Sequence, residues 1–599
     1  MKLRIILGSL VIVSMVTAQN FTVSTATYLG GSSSGDELNA CDVAPDGTIV
    51  VGGRMPGHNP GGVTPVNLLG GGNGVVIRLN NTGTSVLSIT RFGDTIQDLE
   101  VGPDGKIAVT WNAGHGLLKA DASAFIWYSD TVKIGHLTSH TGAFFADYSS
   151  STINMKYRRS LSRISIGTDG TVASLQIPLN CWKVSPGKPI WYCYVYDSAG
   201  TLLKLITGGG YFNKDTCGDT KFVYNGYPED VCVDGNNHSV IVAGWNPDKT
   251  SYSPYTPIHI PFMYAYDYNG NLKWKDYHYT ADGCFAVSST ADSRINEIVI
   301  GADGYLYQAG YIHGGDHLFA RDPKNVNNPA LVHTGYDSYS NAYSMGAGID
   351  QAYFCKYDPL TGNILKGQAL LVRKNTDGSS TPNQSLIKAI EVDADGRLYL
   401  TGYCQLYMKS RSTLQVNGTT VGTVATTFPS PANGSEIFLA IIAPDWNSRE
   451  VWTSFSLNNA EGSGWGIGVN NLTAALAGEV FTGTMITSSN AIQSTPGSLK
   501  DGYLVAWTPM LTNITEPAIP EIKNTSAITC KITGREINLF FPDLFEYDVS
   551  LYSTDGRLIY HATGKNSFHK IHSSMLQSGV YLLYARQQDA LLNIKIVLQ

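Results

Sequence analysis

The chain has 599 residues, of which 15% are charged, and its 41 basic and 48 acidic side chains give a net charge of −7 at neutral pH. It is too long for one ordinary domain and too weakly charged to be disordered. The weak negative charge excludes the basic surface that nucleic acid binding requires, so we predict no nucleic acid partner.

The first 18 residues have the pattern of a secretory signal peptide. Lys2 and Arg4 precede an apolar stretch at 5–16, and a small-residue cleavage site ends at Ala18. Twelve apolar residues span roughly 18 Å as a helix, against about 30 Å for a bilayer core, so a retained membrane helix fits less well. We therefore predict cleavage after Ala18 and no membrane-spanning segment in the mature chain.

Nine cysteines are spread along the sequence, without a CxxC pair and without histidines at zinc-finger spacing. In an oxidising compartment, Cys181 with Cys193 and Cys217 with Cys232 are near enough in sequence to close small loops. Buried, unpaired thiols are an equally good interpretation. The cysteine spacing therefore does not predict a metal framework.

A hairpin with an Asp-Gly turn recurs along the chain, first as VAPDGTIVV at 43–51 and again as VGPDGKIAV at 101–109. Asp bonds its own backbone, and Gly or Asn accepts the left-handed position that ends such a turn. The repeated turn positions are Gly47, Gly105, Gly170, Gly235, Gly304, Gly396 and Asn471. Their spacing, from 58 to 92 residues, exceeds the length of one hairpin.

A second hairpin lies between successive copies of the first, as in WYCYVYDSAGTLLKLI at 191–206 and YFCKYDPLTGNILKG at 353–367. Each repeat therefore contains four antiparallel strands. About seven such repeats are typical of a β-propeller, because one sheet cannot bury its faces alone. We predict an all-β chain with a seven-bladed β-propeller over 19–510.

The seventh repeat lacks one strand, since its first hairpin is followed only by YLVAW at 503–507. The segment ATYLGG at 26–31 resembles the fourth-strand segment SITRFG at 88–93. We predict that this N-terminal strand completes the seventh sheet and closes the ring, which removes the exposed edges of an open ring.

TYLGG at 27–31, the hairpin after it, and SNAIQSTPGSLKDGYLVAW at 489–507 resemble the bacterial β-propeller repeat family called SBBP. The resemblance covers roughly residues 20–510 and is degenerate in the middle repeats. It implies a propeller and no particular chemistry.

After a proline-containing linker at 511–525, the last residues, 526–599, alternate like strands and predict a small antiparallel β-sandwich. The segments VSLYSTDGRLIY at 549–560 and GVYLLY at 579–584, with the terminal KIVLQ, resemble the type A C-terminal sorting domain of the type IX secretion system. This resemblance implies a Bacteroidota-type envelope, the type IX machinery as partner, and an extracellular or outer-surface location. A permanent accessory sandwich is the alternative. The residues that match the sorting domain are Gly556, Arg557, Gly579, Val580, Tyr581 and Lys595.

The longest insertion, at 312–351, and the segment near residue 250 contain the candidate ligand-binding residues. His and Asp side chains there have the chemistry of metal ligands, and Asp322 or Asp350 that of a general base, but in exposed loops these residues more often form turns. Tyrosine and tryptophan rings offer flat faces to sugars, although they also pack between sheets. The candidates are Trp245, Tyr252, Tyr255, His313, Asp316, His317, Tyr336, Tyr339 and Tyr343. We predict no metal site.

The sequence contains no GxSxG elbow, HExxH helix or P-loop, and we predict no cofactor. We expect a non-enzymatic, adhesin-like or scaffold protein that binds a glycan or a surface protein through its loops. The alternative is a polysaccharide hydrolase or lyase, because a propeller funnel can gather carboxylates from several sheets without a local motif. Two carboxyl groups about 5–10 Å apart in a tyrosine-lined funnel would favour hydrolysis.

Overall fold

The chain divides into two compact units, Met1–Pro509 and Met510–Gln599. The computed structural model describes residues 21–32, 35–111, 114–129, 162–176, 191–208, 227–248, 258–314, 316–329, 349–373, 382–405, 414–416, 419–421, 435–498, 500–509, 528–533, 536–541, 546–553, 558–572, 579–587 and 590–598.

Over its described residues, the first unit contains seven sheets with four antiparallel strands each, here called A to D in the order given. Sheet 1 comprises Glu37–Val43, Ile49–Arg54, Gly74–Leu79 and Val86–Gly93. Sheet 2 comprises Ile96–Val101, Ile107–Trp111, Gly114–Leu118 and Phe125–Ser129. Sheet 3 comprises Ser162–Ile166, Val172–Gln176, Trp191–Tyr196 and Leu202–Gly208. Sheet 4 comprises Tyr227–Asp234, Ser239–Asp248, Ile258–Asp267 and Leu272–Asp276.

The remaining three sheets follow the same plan. Sheet 5 comprises Ser293–Ile300, Leu306–His313, Asp350–Tyr357 and Ile364–Ala369. Sheet 6 comprises Ser385–Val392, Leu398–Gln405, Ser435–Ile442 and Arg449–Ser454. Sheet 7 comprises Ser456–Val469, Ala474–Met485, Asp501–Trp507 and the N-terminal strand Thr25–Leu29. The predicted all-β class is confirmed.

The first unit also contains shorter strands and helical segments. Val66–Gly72 adds a parallel fifth strand to strand D of sheet 1. The other short strands are Phe21–Thr22 with Leu414–Val416 and Thr419–Val421, Arg321–Asp322 with Asn325–Pro329, and Val372–Arg373 with Pro382–Asn383. The helical segments are Ala281–Ala286, which the sequence did not predict, and the 3-10 turns Pro60–Gly62 and Leu318–Ala320. Thr280 caps the α-helix by accepting a hydrogen bond from the Gly283 N–H at 3.2 Å.

The N-terminal strand completes sheet 7, as predicted. Thr25–Leu29 pairs antiparallel with Asp501–Trp507, and Tyr28 lies directly opposite Tyr503. The A strands of sheets 1 to 7 contact one another in chain order, and the A strand of sheet 7 contacts that of sheet 1. The contacts between A strands therefore form a closed cycle.

Apolar side chains fill the space between neighbouring sheets. Between sheets 7 and 1, Leu29, Val51, Ile77 and Leu504 belong to one buried cluster. Further clusters lie between sheets 1 and 2, 3 and 4, 4 and 5, and 5 and 6. Both faces of a sheet are thus covered by its neighbours, which explains the nearly continuous apolar strands.

The two ends of the sheets differ. At one end, which we call the turn end, every A–B and C–D connection within a sheet has four to six residues. Gly47, for example, takes φ +86° in the first of these turns, and Asp46 accepts the Thr48 N–H at 2.9 Å. At the opposite end, the loop end, connections range from one residue between sheets 6 and 7 to 36 residues between His313 and Asp350.

The C-terminal unit contains two sheets over its described residues. One comprises Thr529–Thr533, Glu536–Phe540 and Phe568–His572, and the other comprises Leu558–Gly564, Tyr547–Ser553, Gly579–Gln587 and Ala590–Leu598. Ile537, Val549, Ile571 and Leu583 share one buried cluster, so the unit has a hydrophobic core of its own. No helix within the described residues is long and apolar enough to cross a bilayer.

Candidate functional site

The seven A strands line a small cavity of about 80 Å³ that is partly open to solvent. Five of the sheets contribute carboxyl groups to its lining. These residues, which we call the axial carboxyls, are Asp42, Asp98, Glu100, Asp230, Glu297 and Glu391. Acidic side chains that are far apart in sequence therefore meet at one place.

A β-bulge occurs in the A strand of every sheet except sheet 3, whose described A strand pairs without a register shift. A bulge inserts one residue and re-aims the side chains beside it. The inserted residues are Asn39, Gln97, Glu229, Asn296, Lys388 and Trp465. In sheets 2, 4 and 5 the residue after the bulge is an axial carboxyl, so the bulge helps to direct that side chain into the cavity.

Arg163, on the A strand of sheet 3, lies among three of the axial carboxyls. Its Nη2 is 2.9 Å from Oε2 of Glu297, its Nη1 is 3.8 Å from Oδ1 of Asp98, and its Nε is 3.8 Å from Oδ1 of Asp230. Burial would lower the pKa of Arg163, but the three carboxylates raise it. Burial in turn raises the pKa of all three carboxyl groups above the ordinary range.

Backbone donors from the next sheet also reach these carboxyls. Asp98 accepts the Ile164 N–H at 3.0 Å, and Asp230 accepts the Ile298 N–H at 2.7 Å. Asp42 accepts the Val101 N–H at 2.6 Å in the same way. Part of the function of these side chains is therefore to bind one sheet to the next.

The other three axial carboxyls lie nearer the turn end. Burial raises the pKa of Asp42 to about 7 and that of Glu391 to about 8, and it raises the pKa of Glu100 well above the usual value. The negative charge of Asp42 adds to the shift of the other two. Burial therefore favours the protonated forms of these three carboxyl groups more strongly than water does.

At the loop end, four side chains from sheets 4 and 5 form what we call the rim cluster: Trp245, His259, Asp292 and Arg294. The Arg294 guanidinium lies 4.2 Å from the Trp245 ring centroid, and the His259 and Trp245 rings are 4.2 Å apart. His259 Nδ1 is 2.7 Å from Oδ2 of Asp292. Burial lowers the pKa of His259 below its usual value even beside that carboxylate.

Neighbouring strand residues contact the rim cluster and fix the positions of its side chains. Trp245 Nε1 donates to Oε1 of Glu229 at 2.8 Å, and Glu229 is a bulge residue of sheet 4. Arg294 lies on the A strand of sheet 5 and also faces the Tyr311 ring at 5.5 Å. An aromatic ring with a guanidinium stacked on it is thus positioned by rigid strands.

The predicted histidines and aspartates of the long insertion make different side-chain hydrogen bonds. His313 Nδ1 is 2.8 Å from Oδ1 of Asp350, and the other oxygen, Oδ2, accepts a hydrogen bond from Gln384 Nε2 at 2.8 Å. The hydrogen bond with Asp350 raises the pKa of His313. Asp316 instead accepts the Ser293 hydroxyl at 2.8 Å, and His317 Nε2 lies 2.9 Å from the Val287 carbonyl oxygen. Across the described ranges, no group of three or more His, Cys, Asp or Glu side chains is arranged to hold a metal.

The other predicted ligand-binding residues, Tyr252, Tyr255, Tyr336, Tyr339 and Tyr343, lie outside the described residues. Trp245 and His313 both lie at the loop end, on the B strands of sheets 4 and 5. Sequence reasoning missed Arg163, His259 and Arg294, as well as all six axial carboxyls. One signal was available: Asp42, Glu100 and Glu391 each lie five residues before a repeated turn glycine.

The cysteine hypotheses stay open. Cys193 and Cys232 are buried, and burial raises the pKa of the Cys193 thiol to about 12. Their suggested partners, Cys181 and Cys217, lie outside the described residues.

Of the predicted sorting residues, Gly579, Val580 and Tyr581 lie on the strand Gly579–Gln587 and Lys595 on Ala590–Leu598, and these two strands pair antiparallel. Gly556 and Arg557 lie outside the described residues.

No protein-family model matches the chain, and no curated protein matches it. Among solved structures, it is similar to the calcium-binding protein regucalcin of Agrobacterium tumefaciens strain C58, with 9% identity, TM-score 0.28, and coverage of 64% of this chain and 88% of that one. PorZ, a surface component of the type IX secretion system of Porphyromonas gingivalis, matches with 10% identity, TM-score 0.20, and coverage of 97% and 86%. A gluconolactonase of Xanthomonas campestris matches with 12% identity, TM-score 0.26, and coverage of 63% and 84%. At such TM-scores, these similarities carry no argument about activity, ligand or partner.

Proposed function

We propose that the protein is a secreted or cell-surface seven-bladed β-propeller that binds a glycan or a surface protein at its loop end. The cycle of contacts between A strands and the closure by Thr25–Leu29 support the propeller. In this reading the protein is an adhesin-like or scaffold protein that performs no catalysis.

The observation that carries this proposal is the difference between the two ends of the sheets. Turns of four to six residues are repeated at the turn end, whereas all the long connections are at the loop end. Connections that vary in length on a rigid scaffold are where recognition residues collect. The rim cluster lies at this same end.

The rim cluster has the composition of a carbohydrate-binding surface. The Trp245 ring supplies an apolar face, and Arg294 and His259 supply hydrogen-bonding groups beside it. Aromatic and polar groups in such proximity suit a sugar, which presents both C–H faces and hydroxyls.

We expect Trp245→Ala to weaken glycan binding by about tenfold or more, because an aromatic contact and its stacked cation contribute on the order of 1–2 kcal/mol. The measurement is a glycan-array screen of the mature chain, followed by titration of the best ligand. Tyr305→Ala is the matched control. The Tyr305 ring also contacts a cation, because Lys356 Nζ lies 3.8 Å from its centroid, but Tyr305 belongs to a connection at the turn end. Equal loss in both variants would contradict the assignment.

We further propose that residues 526–599 direct the protein through the type IX secretion system, after which they are removed. The independent core of the C-terminal unit supports its action as a separable module. The mature product is then mainly the propeller, released or attached at the cell surface.

Deleting residues 526–599 is expected to trap the protein in the periplasm of the native host. Cell fractionation and surface labelling measure the location of the truncated protein. A strain whose type IX secretion system is inactivated serves as the reference. Surface display of the truncated chain at the normal level would contradict the sorting role.

A second candidate is a polysaccharide hydrolase or lyase. It is favoured by the convergence of Asp98, Asp230 and Glu297 on one guanidinium, because burial raises the pKa of each carboxyl group toward values suited to general acid catalysis. An activity screen on polysaccharides with the wild type and Glu297→Gln separates the two candidates. Turnover that Glu297→Gln abolishes would favour the enzyme.

A further inference from the structure

One nitrogen of the rim cluster has two competing partners. His259 Nδ1 lies 2.7 Å from Oδ2 of Asp292. The same atom lies 2.6 Å from Nη2 of Arg294 and 3.0 Å from its Nε. An imidazole nitrogen either carries a hydrogen and donates it, or has a free lone pair and accepts. It therefore cannot hydrogen-bond to the carboxylate and to the guanidinium at the same time.

The protonation state of His259 decides between these partners. Arginine has only donors, so a neutral imidazole with its hydrogen on Nε2 accepts from Arg294 at Nδ1. A protonated imidazole carries a hydrogen on both nitrogens, so Nδ1 then donates to Asp292 and no longer accepts from Arg294. Oδ1 of Asp292 also accepts the His259 backbone N–H at 3.0 Å, which keeps the carboxylate beside the ring in both states.

The surroundings of His259 set the pH range of this exchange. Burial lowers the pKa of His259, the hydrogen bond with Asp292 raises it, and the charge of Arg294 lowers it, with a net fall. The exchange therefore takes place on the acidic side of the usual histidine range. The charged and titratable groups around the imidazole and its two partners come from sheets 4, 5 and 6 of the described residues. They are Glu229, Asp292, Arg294, His313 and Lys388.

We propose that His259 is a proton-driven switch, which exchanges Arg294 for Asp292 at its Nδ1 and so controls ligand binding at the rim cluster. In the neutral state, Nδ1 holds the Arg294 guanidinium against the Trp245 ring, 4.2 Å from its centroid. Protonation commits Nδ1 to Asp292, and the new positive charge repels the guanidinium beside it. The Trp245 ring then loses its positioned cation, so the ligand affinity falls as the pH falls. This control of binding rests on the proposed function, whereas the exchange of hydrogen-bond partners does not.

The first test is the fluorescence of Trp245 between pH 4 and pH 8 without any ligand, measured in the full chain by subtracting the signal of Trp245→Phe. We expect one transition, because a protonated imidazole 4.2 Å from the indole quenches its fluorescence. Arg294→Met should move the midpoint to higher pH, since the competing cation is gone, and Asp292→Asn should move it to lower pH. Arg449→Met is the matched control, because Arg449 also stacks on a tryptophan, 4.9 Å from the Trp452 centroid, and it should leave the midpoint unchanged.

Two fluorescence results would overturn the switch. One is a Trp245 signal that stays constant from pH 4 to pH 8 in the wild type, and the other is a midpoint that moves in the same direction in both variants. A crystal structure of the wild type at pH 4.5 protects the test against variants that fail to fold. There, His259 Nδ1 and Arg294 Nη2 should be more than about 3.5 Å apart, and a distance within hydrogen-bond range would also overturn the switch.

The second test uses the best ligand from the glycan array. Its affinity should be about fivefold or more lower at pH 4.5 than at pH 7.5. His259→Gln should remove this pH dependence, because glutamine offers Arg294 an acceptor that does not titrate. Equal wild-type affinity at the two pH values would contradict the control of binding. An array without any ligand would contradict the proposed function alone, because the fluorescence and the crystal structure report the switch without a ligand.

Discussion

Arg163→Met is expected to cost about 3–5 kcal/mol of unfolding free energy at pH 8, because it leaves Asp98, Asp230 and Glu297 as a group of buried carboxyls without their cation. Methionine fills a similar volume and keeps the apolar stem of the side chain, so packing loss contributes little. Urea denaturation followed by tryptophan fluorescence measures the change.

The loss should shrink at pH 5. A carboxyl group whose pKa is raised by folding binds protons more tightly in the folded than in the unfolded state. Its destabilising effect is therefore absent below the ordinary pKa near 4 and grows as the pH rises toward the folded value. Since burial raises the pKa of Asp42 to about 7 and of Glu391 to about 8, the wild type should also lose stability between pH 5 and pH 8.

Lys106→Met is the matched control for the arginine variant. Lys106 pairs with Asp104 at 2.5 Å in a turn where the Asp104 side chain is 52% exposed, and exposed pairs contribute at most about 1 kcal/mol. We expect little change at either pH. A loss for Arg163→Met that is equal at pH 5 and pH 8 would show that the carboxyl charges do not cause it.

Tyr28→Ala is expected to destabilise the first unit by about 3–5 kcal/mol, because it removes a fully buried ring from the closing strand. The ring meets that of Tyr503 edge-on at 5.5 Å, and its hydroxyl accepts the Met485 N–H at 2.6 Å. Tyr28→Phe keeps the ring and loses this hydrogen bond, so about 1 kcal/mol is expected. Calorimetry of both variants measures the two contributions.

Tyr128→Ala serves as the control, because Tyr128 lies on the outermost strand of sheet 2 and is 46% exposed. A change within about 0.5 kcal/mol is expected there. If Tyr28→Ala behaved like Tyr128→Ala, the closing strand would not contribute to the stability of the ring.

The sequence predicts the sheets well because the information for them is local. The residues of each Asp-Gly turn are enough to predict the hairpin that contains it. Asp46 and Gly47, for example, form such a turn in the structure. The seventh turn, which has Asn in place of Asp-Gly, is stabilised in the same way, because Asn470 Oδ1 accepts the Leu472 and Thr473 N–H groups. The closing strand was predictable because the repeats lacked one strand that the N-terminal segment resembles.

The candidate site was largely hidden from the sequence because its information is not local. Arg163 and Glu297 come from different sheets and meet only when the A strands are brought together. The bulges add a second difficulty, since the extra residue that places Glu229 and Lys388 cannot be recognised from alternation of apolar residues. Trp245 was found because aromatic residues are grouped in that part of the sequence, with Tyr252 and Tyr255 close behind it.

The closing strand also has a consequence for the order of events in biosynthesis. Thr25–Leu29 precedes sheets 1 to 6 in the chain, yet its partner strand Asp501–Trp507 is made only after those sheets. Sheet 7 therefore gains its fourth strand only after Asp501–Trp507 has been made, and until then Thr25–Leu29 lacks its hydrogen-bonding partner.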